Sequence, residues 1–220
     1  MPDESTGLVS RVRATARSVA AALLFERRHR LDTTEWVDLS DVGLDHPERG
    51  GYKPTGWLTL KKILPPEEVT ADDVFLDLGS GKGRAVFLAA QYPFGRVIGV
   101  ELSPELHAVA EKNLRRYDGR LGGTRIELVN ADVVEYDVPA DVTVLFLFNP
   151  FNGSVFSEAL ANVLRSLDEH PRPLRLVYVN PVEEAQVVAT GRARLVREVS
   201  GAEHADNAPT SARICLYELR

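Results

Sequence analysis

From residue 73 onward, the chain alternates between short apolar runs and stretches with helical spacing. Five apolar runs predict buried strands, over residues 74–78, 97–101, 126–130, 142–148 and 174–180. Apolar positions three and four apart predict helices over residues 84–91, 104–116, 154–167 and 183–189. This alternation predicts an α/β fold, in which a mostly parallel sheet is covered by helices on both faces.

The end of the chain breaks this alternation. Two further strands are predicted over residues 193–199 and 212–219, and the loop between them, residues 200–211, has no helical pattern. A parallel connection needs a long crossover, so we predict that the last strand enters the sheet antiparallel. The predicted sheet therefore has seven strands.

The first 64 residues have a different pattern. Apolar positions from Leu8 to Leu24 predict an amphipathic helix over residues 8–30, whose stripe is typical of packing against the domain or a partner subunit, as in a homodimer. Residues 31–56 are polar and rich in turn formers, which predicts an arm over the core, and residues 57–64 predict a short helix that ends at Pro65. We therefore divide the chain into an N-terminal helix and arm, residues 1–64, and a catalytic domain, residues 65–220.

Composition narrows the function classes. The chain has 220 residues, enough for one substantial core, and its net charge of -6 argues against general nucleic-acid binding.

No apolar run is long enough to span a membrane, and the single cysteine, Cys215, allows no internal disulfide, so we expect a cytoplasmic protein. The histidines lack metal-ligand spacing, so we expect no metal. The preference for arginine over lysine suggests a GC-rich bacterial source.

A glycine-rich turn separates the first strand of the sheet from its helix. Residues 77–83 read Asp-Leu-Gly-Ser-Gly-Lys-Gly, and glycines there let the backbone approach a ligand closely. Glu101 ends the next strand, where a carboxylate can accept hydrogen bonds from both hydroxyls of a ribose. Asp132 follows the third strand and can accept from the amine of adenine, although a helix-capping role is the alternative.

These features resemble the class I S-adenosylmethionine-dependent methyltransferases, over about residues 52–220, with matching motifs at 74–83, 97–103, 130–132 and 148–151. The resemblance implies a Rossmann-like sheet and S-adenosylmethionine as cofactor, with its methionine part at the glycine turn, its ribose at Glu101 and its adenine at Asp132. The candidate cofactor-binding residues are Thr55, Asp77, Gly79, Ser80, Gly81, Gly83, Glu101, Leu102, Ala131, Asp132, Val133 and Asn149. A dinucleotide is the rival ligand, but its usual third glycine would fall at Arg84.

The acceptor side of the predicted site follows the fourth strand. Asn149 and the main-chain carbonyl beside it can hold an amine, with Pro150 and Phe151 bounding the acceptor. The motif resembles the Asn-Pro-Pro-Tyr type of amino-methylating enzymes but has one proline and a phenylalanine, and a plain strand-ending turn is the alternative. Tyr52 belongs to a predicted flap near the methionine end. His204, in a late loop, is a candidate general base for a hydroxyl acceptor or simply an exposed loop residue.

The leading hypothesis is a methyltransferase for a small-molecule amine or aromatic acceptor, with Asn149, Tyr52 and His204 as candidate catalytic residues. The second hypothesis is a protein methyltransferase, in which residues 31–56 help to recognise a polypeptide. A non-catalytic cofactor-binding scaffold and an NAD-binding oxidoreductase are the remaining alternatives.

Overall fold

The computed structural model describes residues 26–44, 46–119, 123–201 and 212–220. Its seven strands are β1 (Val74–Leu78), β2 (Arg96–Glu101), β3 (Arg125–Asn130), β4 (Val144–Leu147), β5 (Leu174–Val179), β6 (Ala193–Gly201) and β7 (Ala212–Leu219). Its α-helices with bounds inside the described ranges are α1 (Thr59–Ile63), α2 (Arg84–Ala89), α3 (Pro104–Arg116), α4 (Gly153–Glu169) and α5 (Glu184–Ala189). Short 3-10 helices lie at Leu39–Val42 and Pro66–Glu68.

The strands form one sheet in the order β3-β2-β1-β4-β5-β7-β6. The first five are parallel to one another, and β7 is antiparallel to both of its neighbours. The predicted sheet and its reversed last strand are therefore confirmed. Strand order changes direction between β1 and β4, and ligands of open α/β sheets bind beyond the carboxyl ends of strands at such a point.

Alternating side chains of the strands build a core on each face of the sheet. In β1, Leu76 and Leu78 belong to the layer under α4 and α5, whereas Phe75 belongs to the layer under α1 and α2. All five residues of β1 are buried, which explains why its sequence is a continuous apolar run rather than an alternating one. The only polar member of the strand is Asp77, so burial of its carboxyl group needs a separate explanation.

Residues 31–56, which we call the arm, pack against the carboxyl edge of the sheet. Val37 and Tyr52 exchange backbone hydrogen bonds within the arm, and Thr33 and Thr55 are buried. Buried side chains of this kind show that the arm is ordered on the core. The division of the chain at residue 64 stays a prediction.

Two expectations fall on parts of the chain outside the described residues. Residues 1–25, most of the predicted N-terminal helix, and residues 202–211, which carry His204, lie there. Within the described ranges, no helix is long and apolar enough to cross a membrane. The strand predicted over 142–148 is shorter in the structure, where it begins at Val144 and ends at Leu147. After its end the backbone turns at Asn149, whose φ of 43° is incompatible with a strand.

Candidate functional site

A cleft opens beyond the carboxyl ends of β1, β2 and β4, at the point where the strand order reverses. It encloses about 750 Å³ of empty space, part of which is open to solvent, and the arm forms one of its walls. The predicted site residues on its walls are Tyr52, Thr55, Asp77, Gly79, Ser80, Gly81, Glu101, Leu102, Val133, Pro150 and Phe151. Gly83, Ala131, Asp132 and Asn149 are neighbours of wall residues rather than wall residues themselves.

The glycine turn has a conformation that its glycines make possible. The φ angles of Gly79, Gly81 and Gly83 are 83°, 54° and 88°, a left-handed region that other residues adopt only with strain. The backbone N–H groups of Gly79 and Ser80 both donate to the Val100 carbonyl, each over 2.9 Å. The turn is thereby held against the end of β2, next to Glu101.

Glu101 contributes directly to this arrangement. One carboxylate oxygen accepts the N–H of Gly81 over 2.7 Å, and the other accepts the N–H of Ser103 over 2.8 Å. Burial raises the pKa of Glu101, and these backbone donors act in the opposite direction. Because a carboxylate oxygen can accept two hydrogen bonds, each oxygen keeps capacity for a ribose hydroxyl.

Asp77, one strand away, has no such partners. Its side chain is buried, and none of the described residues donates a hydrogen bond to its carboxylate. Burial raises the pKa of Asp77 well above the usual value, and the nearby Glu101 raises it further. The Thr55 hydroxyl is also buried, and it has no hydrogen-bond partner in the part of the chain that the structure describes. These unpartnered groups fit a ligand that brings positive charge and hydrogen-bond donors, as the methionine part of S-adenosylmethionine does.

Asp132 lies at another side of the cleft, beside the wall residue Val133. One of its carboxylate oxygens accepts the Val134 N–H over 3.1 Å, which is a turn-capping contact. The other oxygen pairs with the Arg49 guanidinium over 2.7 Å. The capping alternative therefore describes part of what this side chain does, and its contact with adenine stays a prediction.

At the end of β4, the arm already pairs with the predicted acceptor motif. The N–H of Gly50 donates to the Pro150 carbonyl over 2.9 Å, so the main-chain oxygen expected to hold an amine has a partner. The side-chain oxygen of Asn149 is buried and accepts no hydrogen bond from any described residue. Phe151 is buried on the cleft wall and packs on Phe156, with ring centroids 6.1 Å apart. Of the two predicted amine acceptors, the Asn149 amide oxygen is the unpartnered one.

The structure narrows the role predicted for Tyr52. Its ring covers the glycine turn so closely that a Cβ atom at Gly81 would lie 2.0 Å from Cδ2 of the ring. Its hydroxyl donates to the Thr33 carbonyl over 2.7 Å, inside the arm, and burial raises its pKa well above the usual value. The ring therefore faces the site, and the hydroxyl has a structural partner.

Two basic residues of the site were not predicted as such. Arg49 lies on the cleft wall and pairs with Asp132. Arg84, also on the wall, is buried, donates to the Thr33 hydroxyl over 2.9 Å and to the Glu26 carboxylate over 2.9 Å, and lies 4.6 Å from the Trp57 ring centroid. The sequence feature that could have identified Arg84 is its position, since a charged residue directly after a buried glycine turn needs a partner. No sequence feature near Arg49 predicts that it pairs with Asp132.

No group of three or more possible metal ligands occurs among the residues that the structure describes. The cleft wall carries carboxylates, hydroxyls and aromatic rings, together with the basic side chains of Arg49, Lys53 and Arg84. Such a donor set suits an organic ligand with amine and hydroxyl groups.

Comparison with known proteins finds methyltransferases. Residues 75–170 match the family model described as a methyltransferase domain. A protein-lysine N-methyltransferase of Saccharolobus islandicus is 31% identical over 103 residues, 46% of this chain and 62% of the relative. Ribosomal RNA small subunit methyltransferase A of Rhodococcus erythropolis is 32% identical over 120 residues, 49% of this chain and 40% of the relative. The chain thus spans less than two thirds of the length of these relatives.

Solved structures give the same fold. An RNA methyltransferase from Salinibacter ruber, in complex with S-adenosyl-L-homocysteine, is similar with a TM-score of 0.53 and 22% identity, covering 76% of this chain and 94% of that one. The matched region contains the glycine turn, Glu101 and Asp132, and the sheet has the reversed last strand that the resemblance implied. Residues 75–170 thus match a methyltransferase domain, and the chain has the fold of the class I methyltransferases that the resemblance implied.

Proposed function

We propose that this chain transfers the methyl group of S-adenosylmethionine to a small-molecule amine or aromatic acceptor. The observation that carries the proposal is the composition of the cleft. It joins Asp77, a buried carboxylate that receives no hydrogen bond from the described residues, to an aromatic wall at the end of β4, beneath an arm that covers both. A cleft that the arm covers and that has an aromatic wall beside its charged groups suits an acceptor small enough to be enclosed.

The cofactor half of the cleft would act by binding and orientation. Asp77 and Thr55 would receive the charged methionine part, and Glu101 would accept hydrogen bonds from the ribose while it holds the glycine turn. When bound, S-adenosylmethionine supplies an electrophilic methyl group on a positively charged sulfur. Two carboxylates in one buried site favour a cationic ligand, because unpaired buried charge is costly.

The acceptor half would align the nucleophile and exclude water. Phe148 and Phe151 give this half apolar walls, which strengthens electrostatic interactions inside the cleft. The Asn149 amide oxygen would accept a hydrogen of a neutral amine and so direct its lone pair toward the methyl group. Alignment of this kind supplies much of the rate in a displacement reaction, and a neutral amine needs no general base before it attacks.

A protein-lysine acceptor is the second candidate. It is favoured by the 31% identity with the protein-lysine N-methyltransferase of Saccharolobus islandicus, and a deprotonated lysine is an amine that the same amide oxygen could orient. The ribosomal RNA methyltransferase of Rhodococcus erythropolis has nearly the same sequence identity with the chain, 32%. The net charge of -6 makes an RNA acceptor the less favoured of the two.

Binding comes first in the experimental test. Calorimetry of the purified protein should show binding of S-adenosylhomocysteine and none of NAD. An Asp77→Asn variant, which keeps the shape of the side chain and removes its charge, should bind more weakly. Binding of NAD without S-adenosylhomocysteine would contradict the proposal.

The acceptor class is tested with methyl-tritiated S-adenosylmethionine and three separate pools from a bacterial extract, namely small molecules, protein and RNA. We expect label in the small-molecule pool. The Asp77→Asn variant should give no label when the S-adenosylmethionine concentration is kept below the variant's dissociation constant for this cofactor. Label in protein would favour the lysine acceptor, and label in RNA would contradict both candidates.

A further inference from the structure

Residues 48–52 of the arm, which we call the strap, are fixed beside the end of β4. The Asn152 N–H donates to the Glu48 carbonyl over 2.8 Å, and the Gly50 N–H donates to the Pro150 carbonyl over 2.9 Å. The Glu48 carboxylate accepts the N–H groups of Ser154 and Val155 at the start of α4, over 3.0 and 3.2 Å. The backbone on both sides of Arg49 is therefore held in place.

The side chain of Arg49 extends from the strap to the loop after β3. Its Nη2 lies 2.7 Å from Oδ2 of Asp132, and 14% of the arginine and 26% of the aspartate side chain are exposed. The loop is held in turn by α4, since the Asn162 amide donates to the carbonyls of Val133 and Val134 over 3.1 and 2.8 Å. The ion pair thus connects two segments that are both anchored on α4, one at its first turn and one at Asn162, and it is shielded from solvent more than a surface pair.

The pair leaves Asp132 free to accept a further hydrogen bond. Its two oxygens offer about four lone-pair sites. The contacts described use one site on Oδ1, for the Val134 N–H, and one on Oδ2, for Arg49. Arg49 and Val133 both line the cleft, so a ligand there lies next to this carboxylate. Arg49 consequently fixes the direction of the carboxylate without blocking it.

We infer that Arg49 is a positioning residue that makes the cleft selective for the 6-amino purine of the cofactor. The inference rests on the proposed function. Held by Arg49, the Asp132 carboxylate presents an oxygen that accepts a hydrogen bond from an exocyclic amine. A 6-oxo purine presents an oxygen at the same place, and two acceptors that face each other in a partly buried site repel. Without Arg49, the carboxylate can rotate and the selection weakens.

The experiment compares S-adenosylhomocysteine with its 6-oxo analogue, S-inosylhomocysteine, by calorimetry. The variants are Arg49→Gln, which cannot form the ion pair, and Arg49→Lys, which retains the charge. Arg192→Gln is the matched control, because Arg192 forms a 2.7 Å pair with Asp168 away from the cleft. Wild type and control should prefer the 6-amino ligand, and Arg49→Gln should lose roughly tenfold in its affinity for that ligand, the order expected for a charge-assisted hydrogen bond.

The ratio of the two affinities is the decisive measurement, because a partly unfolded variant changes the amount of active protein but not the ratio. In Arg49→Gln the preference should shrink, and Arg49→Lys should restore part of it. An unchanged preference in Arg49→Gln would overturn the inference, and tighter binding of S-adenosylhomocysteine would show that Arg49 competes with the ligand instead. If wild type binds neither ligand, the proposed function itself fails.

Discussion

The two halves of the cleft differ in where their hydrogen bonds come from. At the glycine turn, the partners are residues of the adjacent strand, namely the Val100 carbonyl and the Glu101 carboxylate. At the end of β4, the partner of the Pro150 carbonyl is Gly50, which belongs to the arm. The hydrogen bonds that hold the glycine turn therefore lie within a strand–turn–helix unit and its neighbour in the sheet, to which the arm adds the covering ring of Tyr52. At the end of β4, by contrast, the arm itself supplies the hydrogen bond.

This difference explains why the cofactor could be predicted and the acceptor could not. A turn that is held by its own sheet leaves a local signature of glycines and a strand-end carboxylate. The shape of an acceptor site covered by an arm depends on how the arm packs on the sheet. Loop segments such as this arm vary more in sequence than the strands and helices they connect, so they carry a weaker sequence signature. Four changes to the protein test this comparison, and the first two act on the cofactor half.

The largest effect is expected for Gly81→Ala. Alanine at this position would be strained by the left-handed backbone, and its Cβ atom would clash with the Tyr52 ring. We therefore expect the free energy of unfolding to fall by about 3 kcal/mol and S-adenosylhomocysteine binding to be lost. Denaturant unfolding and calorimetry measure both. Gly191→Ala is the control, since Gly191 has a similar φ of 65° and, its two chain neighbours aside, no described residue has an atom within 4 Å of the added Cβ. Equal losses in the two variants would show that contact with Tyr52 is unimportant.

Glu101→Ala should have the next largest effect. It removes the predicted ribose contacts and leaves the Gly81 N–H without its carboxylate acceptor, so the affinity for S-adenosylhomocysteine should fall by about 1–3 kcal/mol. Glu101→Gln keeps an acceptor for one backbone N–H and should bind with intermediate affinity. Unchanged affinity in Glu101→Ala, measured by calorimetry, would refute the ribose assignment.

Asn149 tests the acceptor half. Because its φ is 43°, alanine would add backbone strain, and Asn149→Gly removes the amide with little conformational cost. We expect turnover to fall roughly 2- to 10-fold, the value of one hydrogen bond, while cofactor affinity stays the same. Steady-state kinetics and calorimetry give the two numbers. An equal loss in both would place Asn149 in the cofactor pocket.

The smallest effect is on pH dependence. The pKa values of Asp77 and Glu101 are raised in the folded, ligand-free protein, so the folded state binds more protons than the unfolded chain above the ordinary carboxylate pKa. Its stability should therefore decline as pH rises through the interval between the ordinary and the raised pKa values. A positively charged ligand favours the ionised carboxylates, so its binding should strengthen with pH over that interval and release protons.

Calorimetry in buffers of different ionisation enthalpy measures this proton release. Asp77→Asn should remove the larger part of it, since no donor among the described residues stabilises the charge of the Asp77 carboxylate. An identical release in the variant would mean that Asp77 does not meet the charged part of the ligand.

The elements themselves were predicted well from hydrophobic spacing. The predicted helix over 104–116 has the same bounds in the structure, with the Ser103 hydroxyl accepting the Leu106 N–H and Pro104 in the first turn. Both features are local, and local features leave a mark in the sequence. The end of β4 was predicted too far along, because a positive φ at a non-glycine residue such as Asn149 has no reliable sequence signal.

The sequence by itself determined the strand–helix alternation, the reversed last strand, and the turn and strand-end carboxylates that indicate the cofactor. These depend on neighbours in the chain or on adjacent parallel strands, whose carboxyl ends must meet at one edge of the sheet. Only the tertiary structure decided that Tyr52 covers Gly81, that Gly50 pairs with Pro150, and that Arg49 reaches Asp132. These contacts join segments far apart in the chain, and the periodicity of neither segment specifies how the other packs against it.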